Sequence, residues 1–180
     1  MIVCAGNSEN FEFAIPVGVG LIETAINLTR LCLFDKPEFL LFVGTAGSYG
    51  KYDIFDIIES KTAVNIELSF LKNDSYTPLD NVITTNTQSK RDIIVNSSNY
   101  ITTNEDLAKK FVKLNIDIEN MEFFSLLRVA QEFEIPAGGV FCITNFTNEN
   151  AHNDFLKNHA KAKEKLTLHV KKRINELTKR

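Results

Sequence analysis

The sequence has no tryptophan, three cysteines and no long run of apolar residues. Cys4, Cys32 and Cys142 lie far apart in apolar surroundings, which indicates buried free thiols in a reducing compartment rather than disulfides or a metal site. No apolar run approaches the length of a membrane span, and the N-terminus lacks the basic start and long apolar core of a signal peptide. We therefore expect a cytoplasmic protein without a membrane partner.

The histidines also lack a metal-binding pattern. All three lie in one helical segment, without cysteines or paired acids at ligand spacing: His152, His159 and His169. Structural and catalytic metal sites depend on such spacing. We therefore expect no metal.

The composition is that of an ordinary globular chain. Its 180 residues are 44% hydrophobic and 24% charged, include 14 phenylalanines and carry a formal net charge of −3, which predicts one domain over residues 1–180 with a good core. The stretch from Ala151 onward is basic, but its lysines and arginines lie opposite an apolar stripe of helical spacing. This pattern is typical of a solvated helix face, and we expect no nucleic-acid partner.

Apolar spacing along the chain predicts alternating strands and helices, which is typical of an α/β protein with parallel neighbouring strands. The residues 73–90 are polar and rich in turn formers, which predicts a long loop. The predicted strands are Met1–Ala5, Phe11–Ile15, Phe39–Val43, Tyr52–Glu59, Val64–Phe70, Asp92–Val95, Ile116–Ile118 and Gly138–Thr144, and the predicted helices are Leu21–Phe34, Glu105–Lys113, Met121–Phe133 and His152–Arg180.

A glycine-rich stretch follows the buried strand Phe39–Val43. In Gly44–Ser48, two glycines free the backbone to turn and to aim its N–H groups at an anion or a sugar oxygen. The alternative is a plain glycine-rich corner between a strand and a loop. Three further segments also follow a strand or open a helix: 96–102, 120–122 and 143–145. Such positions gather ligands in open α/β sheets.

The ordered set of these segments resembles the nucleoside phosphorylase/nucleosidase superfamily, of the type that includes purine nucleoside phosphorylases and methylthioadenosine/S-adenosylhomocysteine nucleosidases. The chain is similar to a short and divergent member. The resemblance covers nearly the whole chain and implies a three-layer αβα sandwich around a central twisted mixed sheet. The matching residues are Gly18-Val19-Gly20, Phe42-Val43-Gly44-Thr45-Ala46-Gly47, Val95–Ile101, Asn120-Met121-Glu122-Phe123 and Cys142-Ile143-Thr144-Asn145.

The resemblance implies roles for individual residues. Glu122 would hold the ribose hydroxyls, and Tyr100 would stack on the base. The alternatives are an acid that interacts with a helix dipole and an ordinary exposed tyrosine. The implied catalytic residues are Asn145, Glu122 and Thr45, the implied substrate-binding residues are Met121, Tyr100, Ile101 and Thr144, and the implied phosphate or water loop is Gly44, Thr45, Gly47 and Ser48.

Some positions depart from the family pattern. Asn145 replaces an aspartate that protonates the leaving base, although trimeric purine nucleoside phosphorylases use asparagine for 6-oxopurines. Phe42 and Phe141 stand where arginines often occur, and without arginines phosphate would rest on backbone amides and one hydroxyl. We do not expect Glu9 to supply the acid that the family places after the first strand.

The resemblance thus implies an enzyme that cleaves the N-glycosidic bond of a purine nucleoside. Asn145 favours 6-oxopurine nucleosides and the missing arginines favour hydrolysis, so phosphate and water both stay open as the nucleophile. The alternative is a degenerate member that binds a nucleoside or a partner protein without turnover. The resemblance further implies no cofactor, with inorganic phosphate as a possible co-substrate, and a homo-oligomer of two or more copies.

Overall fold

The computed structural model describes residues 1–85 and 92–177. These residues form an α/β fold with a central mixed sheet and helices packed against it, as predicted. The strands are β1 (Ile2–Cys4), β2 (Ile15–Pro16), β3 (Leu40–Ser48), β4 (Ile57–Ser60), β5 (Thr62–Val64), β6 (Val82–Thr84), β7 (Ile94–Asn96), β8 (Ile118–Glu119) and β9 (Ala137–Phe146), and the helices are α1 (Gly20–Asp35), α2 (Leu68–Leu71), α3 (Glu105–Lys113), α4 (Phe123–Glu132) and α5 (Ala151–Leu177).

Strand β3 is the centre of the sheet. One of its edges pairs in parallel with β9 along its whole length, and β9 pairs in turn with the antiparallel strand β4. Its other edge pairs in parallel with β1 at its beginning and antiparallel with β8 at its end. The strand order on that side continues through β7, β5 and β6. The end of β3 is therefore enclosed by β8 and β9.

Alternating side chains of β3 and β9 face two different helical layers. Phe42 and Phe141 belong to a core with residues of α1 and α4. Val43 and Cys142 belong to a second core with Leu166 and other residues of α5. Because successive side chains of a strand point to opposite faces, each of these strands contributes to both layers and reads as a continuous apolar run.

The helices agree with the amphipathic patterns. Helix α3 has the predicted bounds, and its N-cap Asn104 accepts a hydrogen bond from the Leu107 N–H at 3.1 Å. Helix α1 ends at Asp35, and its C-cap Lys36, immediately before Pro37, has a left-handed φ of 43°. In α5, the buried residues of the predicted stripe are Ala162, Leu166 and Val170. Among the described residues, no helix combines the length and the apolar character required to cross a membrane.

Two of the predicted strands are wrong. In the predicted strand Phe11–Ile15, only Ile15 is in a strand. Phe11 and Phe13 lie in a turn, with their ring centroids 5.4 Å apart. Burial of Phe11 against the α5 core produces the apolar spacing that resembled a strand. Where the sequence predicted a strand over Val64–Phe70, the observed strand stops at Val64. Helix α2 follows because Ile66 and Leu71 pack with α3 rather than along the sheet.

Other boundaries differ in position. The strand expected over Tyr52–Glu59 begins only at Ile57, after Phe55 takes a left-handed φ of 75°. The long loop contains β6, while its residues 86–90 lie outside the described part of the chain. The glycine-rich stretch Gly44–Ser48 is not a turn: it is the second half of β3, and it pairs with β9.

Candidate active site

A cavity of about 360 Å³ lies at the end of β3. Its walls come from residues 5–9 after β1, 45–47 of β3, 96–101 after β7, 119–122 before α4, 144–145 of β9 and 151–155 of α5, with Val19 ahead of α1. The loops meet here because β1 and β9 run parallel to β3, while β8 pairs antiparallel with Gly47 and brings the end of its parallel neighbour β7 to the same level. Cavities of this size bind small molecules.

The structure brings most of the implied site residues together. Eight of them line the cavity: Asn145, Glu122, Thr45, Met121, Tyr100, Ile101, Thr144 and Gly47. Tyr100 and Ile101 form an exposed rim, with 73% and 51% of their surface accessible.

Gly44 and Ser48 are not among the residues that line the cavity. The Ser48 hydroxyl accepts hydrogen bonds from the N–H groups of Gly50 (3.1 Å) and Tyr52 (3.2 Å), and Ser48 has no exposed surface. A Cβ on Gly44 would lie 2.6 Å from Cε1 of Phe42. Ser48 therefore fixes the turn after β3, and Gly44 leaves room for a core ring.

Glu9 occupies the place that the resemblance gave to phosphate or water. Its Oε1 accepts hydrogen bonds from the Thr45 hydroxyl and from the Thr45 N–H, the latter at 3.1 Å. Glu9 is buried, and burial raises the pKa of its carboxyl group above the ordinary value. The sequence analysis did not expect Glu9 to supply an acid here, but parallel pairing of β1 with β3 places the loop after β1 beside Thr45.

Glu122 is held at the start of α4. Its Oε1 accepts a hydrogen bond from the Gly20 N–H at 2.9 Å, and Gly20 has a φ of 82°, which favours glycine. The Asn120 side chain accepts from the N–H groups of Glu122 and Phe123, both at 3.0 Å, and donates to the Thr45 carbonyl at 3.1 Å. Asn120 therefore ties the first turn of α4 to β3. Burial raises the pKa of Glu122 to about 7.

Glu119 is a third carboxyl group on the cavity wall, and sequence reasoning missed it because the family motif begins one residue later. Its two oxygens accept hydrogen bonds from the Tyr49 hydroxyl (2.9 Å) and the Thr102 N–H (3.0 Å). Tyr49 in turn stacks on Phe111, with 4.3 Å between ring centroids. Desolvation raises the pKa of Glu119 to about 7.

The Asn145 amide is held in a fixed orientation. The Thr144 hydroxyl donates to its Oδ1 at 2.9 Å, and its Nδ2 donates to the Phe146 carbonyl at 3.1 Å. The phenylalanines at the two arginine positions, Phe42 and Phe141, have no exposed surface. Their rings pack together with 5.8 Å between centroids, so these positions belong to the core and not to the cavity.

The ionisable side chains of the cavity wall are mainly acidic. Three carboxyl groups line the cavity, whereas no lysine or arginine occurs among the described residues of its wall. His152, at the beginning of α5, also lies in the wall. Such a wall suits a neutral ligand that offers hydroxyl groups and an aromatic ring.

An α/β fold with a cavity of this kind at the end of its central strand is typical of proteins that bind small molecules. The chain belongs to the phosphorylase superfamily, whose family model matches residues 2–175. The predicted family is therefore confirmed. No curated protein sequence is significantly similar to the chain.

Solved structures share the fold at low sequence identity. The chain is similar to the Helicobacter pylori MTAN-D198N mutant with 5′-methylthioadenosine in its active site (TM-score 0.81, 16% identity, 97% of each chain covered). It is also similar to a futalosine hydrolase mutant of Helicobacter pylori (TM-score 0.81, 17% identity, 97% of each chain). A third similar structure is the Streptococcus pneumoniae MTA/SAH nucleosidase with 8-aminoadenine (TM-score 0.74, 10% identity, 93% of this chain and 94% of the other).

Proposed function

We propose that this protein is a nucleosidase, which uses water to cleave the N-glycosidic bond of a purine nucleoside. The observation that carries the proposal is the contact of Glu9 with the amide and hydroxyl of Thr45. The similar structures named above are nucleosidases and a futalosine hydrolase, which supports hydrolysis.

Phosphate is a poor fit to this cavity. The donors of Thr45 that would bind an anion are already bonded to a carboxyl group. An ionised Glu9 would repel phosphate, since two like charges at short distance in a poorly solvated site raise each other's energy. The described wall contains no lysine or arginine that would offset this repulsion.

Water is a better fit. Glu9 is held by Thr45 in one position, with its pKa raised by burial, so it is a stronger base than an exposed carboxylate. In the proposed reaction the water oxygen forms a bond to C1′ of the ribose while Glu9 accepts a proton from that water. Glu9 is thus the proposed general base, and Thr45 positions it.

The remaining wall residues receive roles as substrate contacts. Glu122 accepts hydrogen bonds from the ribose hydroxyls and faces the positive charge that develops on the sugar. Met121 packs against the sugar, Tyr100 stacks on the base, and the backbone of Ile101 bonds the base edge. In this proposal Asn145 and Thr144 contact the leaving base. The reaction requires no cofactor.

The proposal also includes a homo-oligomer in the cytoplasm. Helix α1 presents a face of large apolar side chains to solvent, and it begins beside the cavity: Ile22, Ile26, Leu33 and Phe34 are each at least 56% exposed. The Asn99 side chain at the rim accepts from the Leu21 N–H at 2.9 Å, so a second copy on this face would adjoin the cavity rim.

The test is base release from inosine, guanosine, adenosine and methylthioadenosine, each with and without phosphate. We expect release that does not depend on phosphate. Glu9→Gln should lower the rate about 100-fold or more, the usual contribution of a general base. The matched control is Glu12→Gln, because Glu12 is exposed on the same segment and should not affect turnover.

Formation of ribose 1-phosphate, or full activity of Glu9→Gln, would contradict the proposal. The alternative of a binding protein without turnover is favoured by one observation, the amide at position 145. Nucleoside binding by calorimetry, without base release from folded protein, would establish that alternative.

A further inference from the structure

The proposed hydrolysis needs a proton donor for the leaving base. A purine that leaves as an anion is a poor leaving group, so a positioned acid that protonates it in the transition state accelerates bond cleavage. The Asn145 amide donates hydrogen bonds but does not release a proton. A different group must then supply the proton, if the protein has the proposed function.

Glu119 and Asn145 lie on either side of one glycine. In the sheet, Gly47 of β3 pairs with Glu119 of β8 on one edge and with Asn145 of β9 on the other. The β3–β9 register shifts between Ala46 and Gly47, which brings Asn145 rather than Thr144 opposite Gly47. The three residues therefore form one row across three adjacent strands.

The side chains at the two ends of this row face the same gap. A Cβ on Gly47 would lie 3.2 Å from Cγ of Glu119 and 3.1 Å from Nδ2 of Asn145. All three residues line the cavity. Because Gly47 has no side chain, the Glu119 and Asn145 side chains approach each other across the position that a Cβ would occupy.

All three carboxyl groups of the cavity accept hydrogen bonds, Glu119 from Tyr49 and Thr102. Glu9 is bonded to Thr45, and Glu122 to the N–H of Gly20 at the start of α1. Glu119 is the carboxyl group that adjoins Asn145. We propose that Glu119 is the catalytic acid that protonates the leaving purine, with Asn145 orienting the base beside it.

The proton moves from the carboxyl group of Glu119 to a ring nitrogen of the purine. As the C1′–N bond breaks, its electron pair goes to the base, and the water oxygen forms the new bond to C1′. Glu9 receives the proton of that water, so one carboxyl loses a proton and another gains one. Proton exchange with solvent then returns both carboxyl groups to their starting protonation states.

The surroundings of Glu119 suit this role. Tyr49, the titratable group in contact with it, and the Thr102 N–H fix the orientation of the carboxyl. Its pKa of about 7 leaves a large protonated fraction at neutral pH. Turnover of purine nucleosides should therefore fall as pH rises above this value, because the acid must be protonated.

The experiment compares inosine with 4-nitrophenyl β-D-ribofuranoside, whose leaving group departs as a stable anion and needs no proton. We expect Glu119→Gln to lower inosine turnover about 100-fold or more and to keep the rate on the nitrophenyl riboside. The fall of the inosine rate at high pH should disappear from the profile of this variant. Adding Asn145→Asp, which restores a carboxylic acid to the same gap, should recover inosine turnover.

Three results would overturn the inference. They are an equal loss on both substrates, an unchanged rate on inosine, and an unchanged high-pH limb in Glu119→Gln. Wild-type protein that cleaves neither the nitrophenyl riboside nor any of the four nucleosides would refute the proposed hydrolysis itself, whereas active wild type with an unimpaired variant refutes only the role of Glu119. Far-UV circular dichroism verifies folding, and Glu119→Asp, which keeps the acid, should retain more inosine turnover than Glu119→Gln.

Discussion

The pKa of Glu119 makes a prediction about stability that requires no substrate. In the folded chain burial raises this pKa from 4.5 to about 7. The folded state then binds the proton more tightly than the unfolded state does. The corresponding stability is fully present below pH 4.5, and it is lost as pH rises through 7.

The size of the effect follows from the shift. One pKa unit corresponds to 1.36 kcal/mol, so ionisation of Glu119 costs the folded state up to about 3 kcal/mol at pH 8.5. Glutamine has nearly the shape of a protonated glutamate and does not ionise. We therefore expect Glu119→Gln to be within about 1 kcal/mol of wild type at pH 5 and up to about 3 kcal/mol more stable at pH 8.5.

Urea unfolding followed by far-UV circular dichroism at the two pH values measures this difference. Glu9 and Glu122 are present in both proteins, so their own titration cancels in the comparison. Glu132→Gln, at an exposed position in the last turn of α4, is the control and should behave as wild type at both pH values. A difference between Glu119→Gln and wild type that is the same at pH 5 and pH 8.5 would refute the reasoning.

Three further substitutions test the packing around the site and the assembly. Gly44→Ala should destabilise the fold by about 1–3 kcal/mol in thermal unfolding, because its Cβ would lie 2.6 Å from the Phe42 ring, and an unchanged melting temperature would contradict this. Asn120→Ala should cost about 2–4 kcal/mol, since it uncaps α4 and leaves the Thr45 carbonyl without its donor, whereas Asn120→Asp, which keeps the cap, should cost less in the same urea assay. Ile26→Glu should convert a homo-oligomer to a monomer in size-exclusion chromatography with light scattering, and a wild-type monomer would refute the oligomer.

Much of the fold could be predicted because local patterns match the long-range packing. Helix α3 combines a capping Asn104, acids in its first turn and lysines in its last turn, so sequence and structure agree on its bounds. Val64–Phe70 shows the opposite. Its alternation is real, but the apolar side chains after Val64 pack with α3, and the pattern alone does not identify the partner.

The errors at the site have a related cause. Small residues in Gly44–Ser48 resemble a turn, yet their size serves close contact with Phe42 inside a paired strand. Glu9 contacts a residue 36 positions away, and only the pairing of β1 with β3 reveals that contact. Glu119 becomes visible only when the register places it opposite Gly47.

The position of the cavity on β3 has a consequence for which of its wall residues can be replaced. Residues 45–47 form the floor, and each is wedged between neighbouring strands, so a larger side chain there disturbs the sheet itself. The rim is different: Asn7, Ser8, Tyr100 and Ile101 are exposed and can be replaced without repacking the core. We therefore expect the rim to tolerate substitution and the floor to resist it.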